Sequence, residues 1–163
     1  DAIAPGLKGR VQEELAFPDA HWPGDLDQCV IHADLFPDNV LMRGDEVGGL
    51  IDFYFSCTDI RAYDVAVTHG AWSFSPDGAD FHPDVAAALI AGYRESHGLT
   101  AQEYAALPVL ARGAALRFLL TRAYDWINTP PTALVTRKDP LAYLRRLDAY
   151  AKLPAETLFG PAA

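Results

Sequence analysis

The chain has 163 residues, of which half are hydrophobic and 21% are charged, and its formal net charge is −9. This length and composition are typical of one globular domain with a sizeable apolar core. The acidic balance argues against binding to nucleic acid or to an anionic membrane, because phosphate contacts require clustered Lys and Arg side chains. We therefore expect a single domain over residues 1–163, with neither nucleic acid nor membrane as a partner.

The expected location is the cytoplasm. The first seven residues lack the basic and apolar regions of a signal peptide, and no apolar run of about 18 residues is evident that could span a membrane. Cys29 and Cys57 stand alone and make no C-x-x-C pair. Buried free thiols and no zinc site are expected for such isolated cysteines.

The first third of the chain predicts a helix and then short strands. A short helix over 7–17 is followed by a link over 18–28 that is rich in Pro, Asp and Gly. Three β-prone runs come next, separated by a loop over 32–39 and a turn over 44–46. These runs are Val30-Ile31, Val40-Leu41-Met42 and Val47 to Ile51.

The remainder predicts helices. Gly98 closes one helix, Thr100 to Glu103 form a capping box that starts another, and Pro108 suits the first turn of a separate long helix. Asp139-Pro140 supplies an N-cap and a first-turn proline for the last helix. The predicted segments are helices over 83–96, from Thr100, over 109–127 and over 140–152, and a loose tail over 154–163.

The most informative pattern is H-x-D-x-x-x-x-N, which spans His32, Asp34 and Asn39. Asp52 follows at the end of an apolar run, after a turn that predicts a β-hairpin. Phosphoryl transfer depends on the placement of charge, with one carboxylate to take or orient a hydroxyl proton and oxygen ligands to hold Mg²⁺. Asp34, Asn39 and Asp52 supply that set in the order of a kinase catalytic segment.

Simpler explanations exist for each part of this pattern. The segment could be a Pro- and Asp-rich turn that only joins two strands, although an aspartate that ends an apolar strand is costly to bury without a partner. His32 could be a buried imidazole bonded to nearby backbone. Asp64 could brace the catalytic loop or cap a helix before Val65. Asp38 fits a turn residue.

Other parts of a kinase are not found in the sequence. No glycine-rich phosphate loop, no G-K-[ST] motif and no V-A-I-K-like strand occurs. We expect the chain to be the C-terminal lobe of a larger kinase, with the nucleotide-clamping N-terminal lobe absent and the isolated chain inactive.

The sequence resembles the aminoglycoside/choline phosphotransferase superfamily, and within it the homoserine kinases of that fold. The resemblance extends from about residue 10 to about residue 150. Superfamily features are found at 32–41 and 49–55, and the narrower likeness rests on 62–66, 115–126 and 138–141. The likeness implies an α+β, mainly α fold, a protein-kinase-like C-terminal lobe in which a small β-hairpin element carries the catalytic loop.

The resemblance also implies roles. Asp34 would be the catalytic aspartate, Asn39 and Asp52 the Mg²⁺ ligands, and His32 and Asp64 the residues that brace the loop. ATP and Mg²⁺ would be the cofactors and homoserine the substrate. Tyr54 stands where protein kinases have the Gly of D-F-G, which fits the small-molecule branch.

The helix predicted over 109–127 could recognise an amino-acid substrate. Arg117, Arg122 and Asp125 would read its carboxylate and ammonium groups, although Arg122 and Asp125 could instead pair with each other at i, i+3. A choline, aminoglycoside or thiosugar phosphotransferase remains an alternative, as does a truncated lobe without catalysis.

Overall fold

The structure is a computed structural model, and it describes residues 2–130, 132–134 and 136–162. These described residues form six α-helices and four short strands in the order α1, β1–β4, α2–α6. Their bounds are α1 Leu7–His21, β1 Gln28–Ile31, β2 Val40–Arg43, β3 Glu46–Leu50, β4 Cys57–Ile60, α2 Arg61–Trp72, α3 Pro83–His97, α4 Ala101–Asn128, α5 Leu141–Lys152 and α6 Ala155–Phe159. The mainly helical α+β fold predicted from the sequence is confirmed.

The strands form two antiparallel pairs. β2 and β3 make the predicted hairpin, with Arg43 opposite Glu46 and Gly44 at φ 63° in the turn. β1 pairs with β4, a strand that the sequence did not predict, so that Ile31 lies opposite Cys57. The catalytic loop therefore runs between the two sheets, from the end of β1 to the start of β2.

The core lies among α2, α4 and α5, with α1, α3 and α6 around it. Its largest fully buried side chains include Leu107, Leu119, Tyr143, Leu147 and Phe159. Because a long helix presents one apolar stripe to several neighbours, α4 can contact α1, α2, α5 and α6 at once. This helix is the central element of the domain.

The start of α4 is capped as the sequence predicts. Thr100 Oγ1 accepts from the Glu103 backbone N–H at 3.1 Å, and the Glu103 carboxylate accepts from the Thr100 N–H at 2.9 Å. The prediction that a separate helix begins at Pro108 is wrong, since Pro108 lies inside one continuous helix. Proline removes a helix hydrogen bond, but Leu107 and Leu110, both fully buried beside it, hold the backbone in place.

Three other sequence predictions need correction. α1 extends to His21, so its end lies one turn beyond the predicted residue 17. The predicted tail contains α6, because Leu158 and Phe159 are buried in the core. The two cysteines are exposed free thiols, not buried ones, since both lie on short strands at the surface.

The helix predicted over 83–96 is confirmed as α3, which ends at His97 and is capped by Gly98 with φ 72°. α5 begins at Leu141, whose N–H donates to the Asp139 carboxylate at 2.9 Å. By length and composition α4 could cross a membrane, contrary to the sequence expectation. The buried face of α4, however, packs into the core of this domain.

Candidate active site

The catalytic loop contains an unusual backbone conformation. Ala33, next to Asp34, has φ 60°, and Asp52 has φ 63°, so the two non-glycine residues that adopt the left-handed region within 2–130, 132–134 and 136–162 both lie at this site. Such a conformation costs on the order of 1–3 kcal/mol for a residue with a side chain and persists only where the surroundings hold it. The loop is therefore shaped by its contacts with the helices.

Asp64 on α2 holds the loop from one side. Its carboxylate accepts hydrogen bonds from the backbone N–H of His32 at 3.1 Å and of Ala33 at 2.7 Å. Asp64 lies within the first turns of α2, whose N-cap is Ile60, so the N-cap alternative is wrong. α2 also holds the loop through Trp72, whose indole N–H donates to the Leu35 carbonyl at 2.9 Å.

Arg117 on α4 holds the loop from the other side. Its Nη2 donates to the Ala33 carbonyl at 2.8 Å and lies 3.9 Å from the Asp34 carboxylate. Both peptide groups of Ala33 are thus bonded, its N–H to α2 and its carbonyl to α4. The left-handed turn is fixed by two charged side chains from different helices.

The rest of the loop bonds to itself and to the hairpin. Asn39 Nδ2 donates to the Asp34 carbonyl at 2.8 Å, so the amide oxygen of Asn39 takes no part in this hydrogen bond. The Asn39 carbonyl accepts from the Ile51 N–H at 3.0 Å. His32 is buried, and its Nε2 lies 3.0 Å from the Ile51 carbonyl oxygen. The loop and the segment that carries Asp52 are therefore joined directly.

Asp34, Asn39 and Asp52 line one open cavity of about 310 Å³, which we call the catalytic cleft. The other side chains that line it come from the loop, the turn after Asp52, α4 and Lys138: Phe36, Asp38, Phe55, Arg117, Phe118, Thr121, Arg122, Asp125 and Lys138. All three residues of the predicted phosphotransfer set are thus brought together, and so are the three predicted for the substrate.

Burial raises the pKa of the Asp34 carboxyl above its ordinary value. The nearby guanidinium of Arg117 opposes this shift, and the carboxylate of Asp52 adds to it. A carboxylate held in this way accepts a proton more readily than one on an open surface. This electrostatic setting suits a residue that receives the proton of an attacking hydroxyl.

The cleft offers oxygen donors for a divalent cation. Among residues 2–130, 132–134 and 136–162, no group of three or more His, Cys, Asp or Glu side chains could hold a metal unaided. Asn39, Asp52 and Asp34 line one cavity, and amide and carboxylate oxygens suit Mg²⁺, which usually keeps several waters and binds substrate phosphates as well. The residues present therefore fit a Mg²⁺ ion shared with a phosphate substrate.

Arg122 and Asp125 do not form the pair that the sequence left open. No ion pair between them occurs in the described part of the chain, and Arg122 Nη1 lies 3.5 Å from the Asp139 carbonyl oxygen. Burial lowers the pKa of the Arg122 guanidinium. Asp125 is exposed at the rim of the cleft, so both side chains remain available to a ligand.

Sequence reasoning passed over one basic residue beside the site. Arg146 on α5 is buried, although arginine is rarely buried without a partner. Its position was visible in the sequence, because Tyr143, three residues before it, and Tyr150, four residues after it, share a helix face with it. A cation on the apolar face of an amphipathic helix was the signal that could have found it.

Comparison with known proteins agrees with this geometry. A family model described as the phosphotransferase enzyme family matches residues 3–99, which is more than half of the chain. The chain belongs to the phosphotransferase enzyme family. The matched part of this phosphotransferase chain includes the whole loop and hairpin with Asp34, Asn39 and Asp52.

Individual relatives are also similar over most of the chain. A homoserine kinase of Methylobacterium radiotolerans is 60% identical over 147 residues, which are 90% of this chain and 46% of the relative. A homoserine kinase of Rhizobium meliloti is 51% identical over 160 residues, 98% of this chain and 49% of the relative. One of Zymomonas mobilis is 56% identical over 148 residues, 91% and 46% respectively. The chain thus spans about half the length of the curated relatives it matches.

Proposed function

We propose that the chain supplies the catalytic half of a cytoplasmic kinase that transfers the terminal phosphoryl group of ATP to the hydroxyl of homoserine, on the way to threonine. The observation that carries this proposal is the meeting of Asp34, Asn39 and Asp52 in one cleft beside a helix with cationic and anionic side chains. The similarity to homoserine kinases over 90% or more of this chain supports the choice of substrate. In this proposal the nucleotide-clamping lobe belongs to the rest of the enzyme.

Asp34 acts on the acceptor in this proposal. The substrate oxygen attacks the terminal phosphorus of ATP while Asp34 receives the hydroxyl proton, and the bond from that phosphorus to the ADP oxygen breaks. The raised pKa of Asp34 favours this proton transfer. His32 and Asp64 hold the loop that carries Asp34, the first through the Ile51 carbonyl and the second through two backbone N–H groups.

Asn39 and Asp52 are the proposed ligands of Mg²⁺. When bound, the ion neutralises charge on the transferring phosphates. The hydrogen bond from Asn39 Nδ2 to the Asp34 carbonyl turns the amide oxygen away from that carbonyl and fixes the side chain near the catalytic aspartate. One contact thus sets the position of the proposed metal ligand relative to the proposed base.

The side chains on the substrate side of the cleft have different roles. We assign to Arg122 and Asp125 the recognition of the carboxylate and the ammonium group of the amino acid. The sequence also makes Arg117 a candidate for binding the carboxylate, but its Nη2 already donates to the Ala33 carbonyl. We therefore assign Arg117 to holding the loop and balancing the charge of Asp34.

A substrate panel with the complete protein, coupled to ADP release, tests this function. Homoserine should give a kcat/KM at least about 100-fold above that of 3-aminopropan-1-ol, which lacks the carboxylate, because a site built to bond a charged group rejects the analogue without it. Choline, an aminoglycoside and a thiosugar complete the panel. If one of these outcompetes homoserine, only the family-level activity stands, and if none releases ADP, a non-catalytic role replaces it.

A further inference from the structure

A second cavity adjoins the catalytic cleft. It has a volume of about 480 Å³ and lies between the catalytic loop, the end of α2 and the start of α5. Phe36, Asp38, Arg122 and Lys138 line both cavities and form the wall between them. Arg146 and Asp139 also line the second cavity, so three cationic and two acidic side chains surround it. The two carboxylates have other partners, since Asp38 pairs with Lys138 and Asp139 with Arg145. We call this cavity the basic cavity.

Two of these cations lack a carboxylate partner. Lys138 pairs with Asp38 at 3.4 Å, whereas neither Arg122 nor Arg146 makes an ion pair with an acidic side chain of the described residues. Arg146 is 3% exposed and donates only to the backbone carbonyls of Ala142 at 3.0 Å and Ser75 at 2.9 Å. A buried cation without an anion is costly, and this cost is unexpected in a chain of net charge −9.

The two guanidinium groups face the same aromatic ring. Arg122 lies 4.5 Å and Arg146 lies 4.6 Å from the centroid of Tyr143, so the two positive charges are close together. Burial raises the pKa of the Tyr143 phenol to about 12, so this group stays neutral and does not balance them. The ring attracts both cations through its face, but it does not supply the negative charge that a bound carboxylate would bring.

We propose that the basic cavity binds the carboxylate of the acceptor substrate, with Arg122 as the direct contact and Arg146 as the second positive charge behind it. This inference rests on the proposed function and adds a specificity site to it. Its position fits the task, because Arg122 forms part of the wall shared with the cleft that contains Asp34. A short amino acid can thus place its carboxylate at Arg122 while its hydroxyl remains on the side of the catalytic loop.

Equilibrium binding to the complete protein, without nucleotide, tests this inference separately from turnover. L-2-Aminobutyrate, which has the carboxylate but no hydroxyl, should bind within about tenfold of L-homoserine, and 3-aminopropan-1-ol should bind at least 100-fold more weakly. Arg122→Gln and Arg146→Gln should each weaken L-2-aminobutyrate at least tenfold. Lys152→Gln is the matched control, because Lys152 is an exposed cation on the same helix and pairs with Asp148, and neither residue lines the basic cavity.

Arg146→Lys is measured as well as Arg146→Gln. The lysine variant keeps the positive charge and can be used if the neutral variant does not fold. The inference is overturned if 3-aminopropan-1-ol binds as tightly as L-2-aminobutyrate, or if Arg122→Gln keeps full affinity. It is also overturned if inorganic phosphate binds more tightly than L-2-aminobutyrate and competes with it. Binding that depends on Arg122 in a protein that does not phosphorylate homoserine would uphold the carboxylate site and reject the proposed function.

Discussion

The Asp64 carboxylate lies 2.7 Å from the backbone nitrogen of Ala33, and the Arg117 guanidinium lies 2.8 Å from the carbonyl oxygen of the same residue. Ala33 is thereby held in a left-handed conformation between α2 and α4. The position of Asp34, the next residue, follows from this clamp.

Removal of Asp64 should therefore impair phosphoryl transfer without removing any group that contacts substrate. We expect Asp64→Ala to lower kcat about 100-fold, because small displacements of a catalytic group have effects of that size. The KM values should change little. The variant should also lose about 3 kcal/mol of unfolding free energy, since two charge-assisted hydrogen bonds are removed. A larger rise in KM for the acceptor than fall in kcat would place Asp64 in substrate binding instead.

The conformation of Ala33 gives a second prediction. Ala33→Gly should leave the unfolding free energy nearly unchanged, because glycine adopts a positive φ readily but loses more entropy on folding. Ala33→Val should lower it by about 2 kcal/mol, since a β-branched residue is strained there. Chemical denaturation of the two variants measures the difference. Equal stability of both would show that the turn is not held in this conformation in solution.

Asp52→Asn tests the proposed metal ligand. We expect kcat to fall by at least about 100-fold with the fold intact, because an amide does not supply the negative charge that balances the ion. Asp45→Asn, in the exposed turn of the same hairpin, is the control and should keep its activity. Near-normal turnover of Asp52→Asn at saturating Mg²⁺ would reject the assignment.

The ionised carboxylate of Asp34, which catalysis requires, should lower the unfolding free energy of the protein at neutral pH. Its pKa is raised by burial, so the fold favours the protonated form, and the stabilising contribution present at low pH is lost as the pH rises through the raised pKa. Asp34→Asn should accordingly raise Tm at pH 7 and abolish activity, and the gain in Tm should shrink as the pH falls. Thermal melts at several pH values measure this, and a gain that is constant with pH would contradict it.

Because of the buried imidazole of His69, we expect a pH dependence of stability opposite to that of Asp34. Its imidazole is fully buried, with Nδ1 2.7 Å from the Tyr150 hydroxyl and Nε2 2.8 Å from the Leu158 carbonyl, and burial lowers its pKa from 6.5 to about 4. The fold favours the neutral ring, so this contribution is present above pH 6.5 and is lost as the pH falls toward 4. The loss amounts to roughly 3 kcal/mol of unfolding free energy.

His69→Gln should flatten the stability curve over that pH range, although the variant is less stable at pH 7. His82→Gln, which replaces an exposed histidine at the start of α3, is the matched control. Urea denaturation at pH 7, 6, 5 and 4 gives the curves. An unchanged slope in His69→Gln would assign the acid sensitivity to other groups.

Much of this site could be predicted from the sequence because its parts are close together in the chain. Asp34, Asn39 and Asp52 lie within one loop and one hairpin, whose turn is fixed by local residues. The capping box at Thr100 and Glu103 is likewise a local pattern, and it is found in the structure.

The parts that sequence reasoning missed depend on distant contacts. β4 exists because Cys57 to Ile60 pair with β1, and four residues carry too little alternation to show that. α6 is too short to be stable alone, and it is held by the burial of Phe159 and by the bond from His69 to Leu158. Pro108 suggested a helix start, but the packing of Leu107 and Leu110 outweighed that local signal.

The continuity of α4 affects how mutational data on this protein should be interpreted. One rod of 28 residues carries both the buried leucines at 107, 110 and 119 and the cleft residues at 117, 122 and 125. A substitution that shifts this rod by a fraction of an ångström in the core moves every cleft residue on it in the same direction. Loss of activity in a core variant of α4 can therefore resemble the loss of a catalytic group, and KM and kcat must be compared with cleft variants before a role is assigned.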